Sequence, residues 1–279
     1  MRATSLPFLL VVLAGLLTFA SYLLYNREIP CVTPLRYELV SYDSRFELSK
    51  PEVEAALIKA AQVWNNALNE NALVESDTPN LPVSFVYDKT QATVDSIQQL
   101  SGDIDTLKSQ LTSVANQYGD LKKQYDELNS RGKATQEMYD QLQTLFNQYE
   151  ALRKKINADV AQGREIPTGS VEEGLYTSDR EGTRITIYAF QDKTELTRTL
   201  IHEFGHALGL EHVKNPDSIM YPSNNASQNT SLTKEDLAEM NRACSESEDS
   251  LAGRAYVALK PFFKVVGPYF DQLNSRLAK

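Results

Sequence analysis

The chain has 279 residues, a formal net charge of −9 and a pI of about 5.0. Binding a phosphate backbone needs basic surface, so this balance argues against nucleic acid as a partner. In chain order, Leu6 to Tyr25 comes first as a mostly apolar, uncharged run, long enough to cross a bilayer. Arg2 and the amino terminus precede it, while Arg27 and Glu28 behind it cancel, which places the remainder of the chain outside the cytoplasm. A cleaved signal peptide competes, because Thr18-Phe19-Ala20 offers small residues suited to cutting; the alternative is then a secreted protein. The apolar run continues through Leu23, Leu24 and Tyr25, which favours a retained single-pass anchor over residues 1–28.

From Pro51 to Asn69, Val53, Ala56, Leu57, Ala60, Val63, Trp64 and Leu68 recur at helical spacing, with Trp64 read as a core residue. Val83 to Tyr87 reads as a strand closed off by Asp88 and Lys89. Ile97, Leu100, Ile104, Leu107, Leu111, Val114, Tyr118, Leu121, Tyr125 and Leu128 then step alternately by three and four, a heptad seam. Asn129-Ser130-Arg131-Gly132 breaks it, and a second seam runs Met138, Leu142, Leu145, Tyr149, Leu152 and Ile156. Residues 97–162 are therefore expected to form an antiparallel helical hairpin, two helices of about 30 residues each and roughly 45 Å long. It could be a self-paired arm, a docking arm for a protein partner or for self-association, or a shield over a neighbouring cleft. Heptads alone do not separate these.

Thr183 to Phe190 alternates branched apolar and polar groups and reads as a further strand, followed by a helix from Lys193 to Gly209. The chain has only three histidines, His202, His206 and His212, all within eleven residues. His202 and His206 lie four apart and project from one helix face, which suits two nitrogen ligands on one tetrahedral zinc. Glu203 stands next to the first of them, where its carboxylate stays off the metal and reaches a metal-bound water. Gly209 lets the chain leave the helix, and His212 returns as a third ligand. A bare His-Glu-x-x-His arises by chance on surface helices, but the addition of Gly209 and His212 makes the pattern specific. A last helix begins at Thr233, a plausible N-cap with Asp236 at its third position. The tail, 247–279, holds Leu259, Phe262, Phe263, Val265, Val266, Tyr269, Phe270 and Leu273, interrupted by Pro261 and Pro268. It could pack on the core, lie on a membrane surface or bind a partner, with packing the default. Asn225 and Asn229 head Asn-x-Ser sites that matter only in a host that glycosylates secreted proteins.

These residues, with Ser218-Ile219-Met220-Tyr221-Pro222 after His212, resemble the metzincin metalloproteases, and the Ile-Met-Tyr-Pro form is most similar to the matrixin branch. The resemblance covers residues 30–96 and 163–246, with Arg36 to Val40 similar to the first strand and Pro51 to Asn69 to the first helix. It implies an α+β fold: a matrixin-like catalytic domain of a twisted mixed sheet plus three helices, here with the inserted antiparallel coiled-coil hairpin and the N-terminal transmembrane helix. It implies a zinc endopeptidase acting on extracytoplasmic proteins or peptides, with His202, His206 and His212 on one catalytic zinc and Glu203 as base. Met220 is implied as an apolar floor that does not ligate. Tyr221 and Pro222 are implied in a substrate-pocket wall. In this fold the chain start and the last helix lie close, so a Cys31–Cys244 disulfide is implied, with two free thiols as the alternative. The residues around Cys31 do not match an inhibitory cysteine switch. Calcium is common in the family, and Asp179 and Glu181 are candidate ligands, although no loop carries a calcium signature. No histidine is left over for a second, structural zinc. The rival class is a membrane-tethered interaction protein with a non-catalytic zinc and a coiled-coil docking arm. The glutamate beside the first ligand counts against it, since a structural site needs no base.

Overall fold

The computed structural model describes residues 5–165, 173–223 and 229–277, which divide into two compact units, Met1–Tyr87 with Glu172–Lys279 and Asp88–Val171. Asn225 and the chain after it to residue 228 lie outside the described residues. The first unit opens with α1 (Ser5–Tyr25). Its side chains are described from Val11, and among the described residues no helix is long and apolar enough to cross a membrane. The span expected over Leu6–Tyr25 thus rests on the sequence.

β1 (Leu35–Tyr42) leads to α2 (Lys50–Leu68), then β2 (Leu73–Glu75) and β3 (Leu81–Phe85). α2 starts where it does because Ser49 and Glu52 form a capping box: the Glu52 carboxylate accepts from the Ser49 backbone N–H at 2.8 Å. Pro51 falls in the first turn, where its missing N–H costs nothing. The helix stops at Asn69, whose φ of 53° is left-handed. After the second unit the chain returns as β4 (Gly174–Asp179), β5 (Gly182–Ile187), α5 (Lys193–Ala207), α6 (Lys234–Asp249) and α7 (Leu251–Leu277).

The strands form one mixed sheet in the order β2-β1-β3-β5-β4. All pairings are parallel except the last, where β4 runs antiparallel to β5 with Tyr176 opposite Ile185. Alternate residues of the central strands, Tyr37, Leu81, Val83, Phe85, Ile185 and Ile187, bury one sheet face in the same core as α2 and α5. α2 contributes Val53, Ala56, Leu57, Ala60 and Trp64, and α5 contributes Leu196, Leu200 and Phe204. β2 and β4 were not read from the sequence, and both flank this core. Cys31 and Cys244 are joined in a disulfide, with Cα atoms 5.2 Å apart. The tail forms a single helix that runs through Pro261 and Pro268. It holds a smaller apolar cluster of Ile29, Tyr256 and Phe263 with Leu24, Tyr25 and Phe270.

In the second unit α3 (Lys89–Ser130) and α4 (Gln136–Glu165) pack on each other. Leu107 and Leu142 of the heptad seams are buried, and Tyr118 meets Phe146, as Tyr125 meets Tyr139, with ring centroids 6.4 Å apart. The turn between the helices uses Gly132 at φ +65°. The hairpin departs from the expected bounds. α3 begins at Lys89, eight residues before the seam, because the Asp88 carboxylate caps it by accepting from Thr90 N–H at 2.7 Å. Its 42 residues make it about 63 Å long rather than 45 Å.

Trp64 is fully buried and its indole N–H donates to the Ile201 carbonyl of α5 at 2.7 Å, so it fastens α2 to the zinc-motif helix. Trp64→Phe removes that bond and opens space beside Gly205. Chemical denaturation should show a loss of about 2–3 kcal/mol; an unchanged midpoint would refute this role for the indole.

Candidate metal centre

α5 carries the first two histidines, and its start is fixed by Asp192, whose carboxylate accepts from Thr194 N–H at 2.7 Å and Glu195 N–H at 2.9 Å. Its end is a Schellman turn. Gly209 N–H reaches the His206 carbonyl, Leu210 N–H reaches the Gly205 carbonyl, and Gly209 sits at φ +86°. A Cβ on Gly209 would also come within 3.2 Å of Pro30. The reversal turns the chain back so that His212 faces the helix, and Val213 N–H then donates to the Met220 carbonyl.

The three Nε2 atoms form a triangle with sides of 3.1, 3.2 and 3.3 Å. Nδ1 of His202 lies 2.6 Å from the Ile219 carbonyl, and Nδ1 of His206 lies 2.9 Å from the Leu210 carbonyl. A carbonyl only accepts, so in each ring Nδ1 carries the proton and Nε2 turns a lone pair toward the centre. Burial pushes the His202 imidazole down to about 4 and lowers His206 as well, which keeps both rings neutral near pH 7. Lone pairs held face to face at this distance repel unless a cation stands among them. A tetrahedral zinc with nitrogens at about 2.0–2.1 Å spaces them about 3.3–3.4 Å apart, so the triangle fits that ion. Among the described residues these histidines are the one group of three or more side chains able to hold a metal. Glu203 is only 4% exposed, and its Oε2 accepts from the Tyr176 backbone N–H at 2.6 Å. Gly174 of the same strand is pressed so closely on α5 that a Cβ would lie 2.8 Å from Thr199 and 3.0 Å from Glu203.

The matrixin family model (peptidase M10) matches residues 31–243, well over half of the chain. The chain belongs to the matrixin family. No curated protein matches it. Membership makes its class that of the zinc metalloendopeptidases.

In this matrixin the loop below the histidines is held by two buried charges that the sequence reading did not place there. Met220 is fully buried, and its sulfur would be 2.4 Å from a Cβ on Gly205, so a glycine in α5 makes room for it. Asp236, read only as a helix-capping residue, accepts from Ile219 N–H at 3.0 Å and Met220 N–H at 2.9 Å while also capping α6 through Thr233. Arg198 of α5 donates to the Ser218 carbonyl at 2.7 Å and to the Asn229 carbonyl at 2.9 Å. Burial lowers its guanidinium from the ordinary value, and the Asp236 charge works against that. Tyr221 is half-buried and Pro222 exposed on the same loop. Asp179 pairs with Arg184 at 2.8 Å and accepts from Glu181 N–H at 2.8 Å, and both candidate calcium ligands are exposed.

Upstream on α5, Thr199 donates to Glu173 Oε2 at 3.1 Å, and Glu195 lies against the same carboxylate. Burial, and next the Glu173 charge, push the Glu195 carboxyl up to about 7. The folded state therefore holds this proton more tightly than the unfolded chain does. That contribution is fully present at low pH and is lost as pH rises through about 7. Glu195→Gln should raise Tm at about pH 8.5 and change it little at about pH 4; equal shifts at both would break the assignment. Gly209→Ala forces a side chain into positive φ, and should cost about 1 kcal/mol or more. It should also lower the zinc retained after dialysis, whereas unchanged Tm and zinc content would separate His212 from that turn.

Proposed function

We propose that this matrixin is a membrane-anchored zinc endopeptidase that hydrolyses extracytoplasmic proteins, with Glu203 as its general base. The observation that carries the reading is the Nε2 triangle of His202, His206 and His212 with the buried Glu203 carboxylate on the adjacent residue of the same helix.

His202, His206 and His212 are the ligands, and Met220 packs beneath them. Zinc, when bound, supplies a Lewis acid that polarises the scissile carbonyl and makes water a better nucleophile near neutral pH. Glu203 takes the proton from the attacking water and passes it to the nitrogen of the leaving amine. The Tyr176 N–H, 2.6 Å from Oε2, holds the carboxylate in place. β4 ends the sheet order, and the strand that covers Glu203 is thus an edge to which an extended substrate segment can pair, with its backbone beside the base. Tyr221 and Pro222, directly after Met220, belong to the wall that selects substrate side chains.

The anchor reading is supported by the apolar run Leu6–Tyr25 and by the length of α1, 21 residues or about 31 Å, against a hydrocarbon core of about 30 Å. The uneven placement of Arg2 against Arg27 and Glu28 orients it, and a disulfide between Cys31 and Cys244 suits an oxidising compartment. The hairpin, inserted between two parts of the matrixin domain, is ascribed the role of a self-paired arm, since its seam residues pack against each other.

Glu203→Gln should keep stoichiometric zinc and cut hydrolysis of a generic protein substrate by about 100-fold or more. The activity of the parent should vanish with a chelator and return with zinc. A variant with full activity would remove Glu203 from the chemistry, and chelator-insensitive cleavage would remove the metal.

A further inference from the structure

α7 has two apolar rows and uses only one of them for packing. Tyr256, Leu259, Phe263, Val266 and Phe270 form the row that builds the cluster with α1 and Ile29. Phe262, Val265, Tyr269 and Leu273, spaced by three and four, form a second row on a different flank, and it is open. Val265 is 69% exposed, Tyr269 70%, and Phe262 and Leu273 above 40%. The third flank is polar and carries Lys260, Lys264 and Asp271.

The place of this helix decides what the open row meets. α7 lies against the last turns of α1. Tyr22 donates to Asn274 Oδ1 at 2.6 Å, Tyr25 to Asp271 at 3.1 Å, and Asn274 to Asn26 at 2.6 Å. The Phe270 ring meets both tyrosines with centroids 5.4 and 5.3 Å away. Gly267 permits the approach, since a Cβ there would lie 2.9 Å from the Tyr25 hydroxyl. α1 is itself apolar and exposed on the side away from these contacts, at Leu16, Leu17, Phe19 and Leu23, so two open apolar helix faces leave the one junction. Tyrosines with an apolar ring and a wet hydroxyl mark the water boundary of a bilayer. A helix tied to them lies at that depth.

We infer that α7 is a second membrane-contacting element, a helix lying in the lipid interface with Phe262, Val265, Tyr269 and Leu273 in the acyl boundary. The polar flank, with Lys264 and with Lys260 paired to Glu70 at 3.6 Å, faces away from the acyl region. The inference rests on the reading of α1 as a retained anchor. A protein that hangs from one helix alone can swing; one that also rests α7 on the surface presents its cleft at a fixed tilt.

Trp64, the only tryptophan, is fully buried in the core and gives a fixed background. The full chain carrying Tyr269→Trp or, separately, Leu16→Trp is reconstituted in phosphatidylcholine–phosphatidylglycerol vesicles whose acyl chains are brominated just below the headgroups. Both variants should lose fluorescence relative to unbrominated vesicles, while the parent changes little. Quenching of the Leu16→Trp variant alone keeps the anchor and overturns the role of α7, which leaves its open row to a protein partner or a second copy. Quenching of the Tyr269→Trp variant alone supports the contact and overturns the anchor. Quenching of neither overturns both.

Discussion

Three imidazole Nε2 atoms within 3.3 Å of one another are the constraint on which the rest of this domain depends. Without a cation they repel, and each must be held by something outside the cluster. α5 supplies the spacing of His202 and His206, and carbonyls of Ile219 and Leu210 set their tautomers. The Gly209 reversal supplies His212. Each holder is itself held. The Ile219–Met220 segment hangs on Asp236 and Arg198, and α5 is fastened to α2 through the Trp64 indole. Asp236 and Arg198 are buried charges near one another, each bonded to backbone of the same loop. Removing either would leave an uncompensated charge inside. A loop held in this way is stiff, and stiffness is what a preformed ligand set requires.

Glu203 is positioned by a different element. The start of β4 crosses α5 with Glu173 over Thr199, Gly174 over Glu203 and the Tyr176 N–H on the Glu203 carboxylate. The sheet thus reaches the chemistry through its edge, and the antiparallel pairing of β4 with β5 makes this possible. At this crossing burial and the neighbouring Glu173 charge raise the Glu195 carboxyl, so the seat of β4 on α5 responds to pH.

How much of this was legible follows from what each residue does locally. The histidines, Glu203 and Gly209 sit on one helix and its cap, and their spacing is their geometry. The helix α2, with strong amphipathic periodicity, was equally plain, although the capping box that starts it was not read. β4 was not: its sequence GLYTSD has no buried face, with Leu175 exposed and Tyr176 half-buried, so no alternation marks it. β2 is three residues long and carries no period at all. The start of α3 was missed because the heptad seam begins at Ile97, whereas the helix is set by Asp88, a cap that needs no seam. Asp236 announced its local role at the N-terminus of α6, but its reach to Met220 crosses sixteen residues of chain and has no sequence signature.

α6 connects the two ends of the molecule's task. Asp236 in its first turn carries the loop beneath the histidines, and Cys244, eight residues and about 12 Å further on, is bonded to Cys31, a few residues beyond α1. α7 starts directly after α6 ends. The apolar cluster where α1 meets α7 and the metal floor are therefore attached to opposite ends of one rigid helix, the first covalently and the second by two backbone hydrogen bonds. Bridging the start of the domain to its last helix closes a loop of more than two hundred residues, for which chain entropy allows about 5 kcal/mol at most.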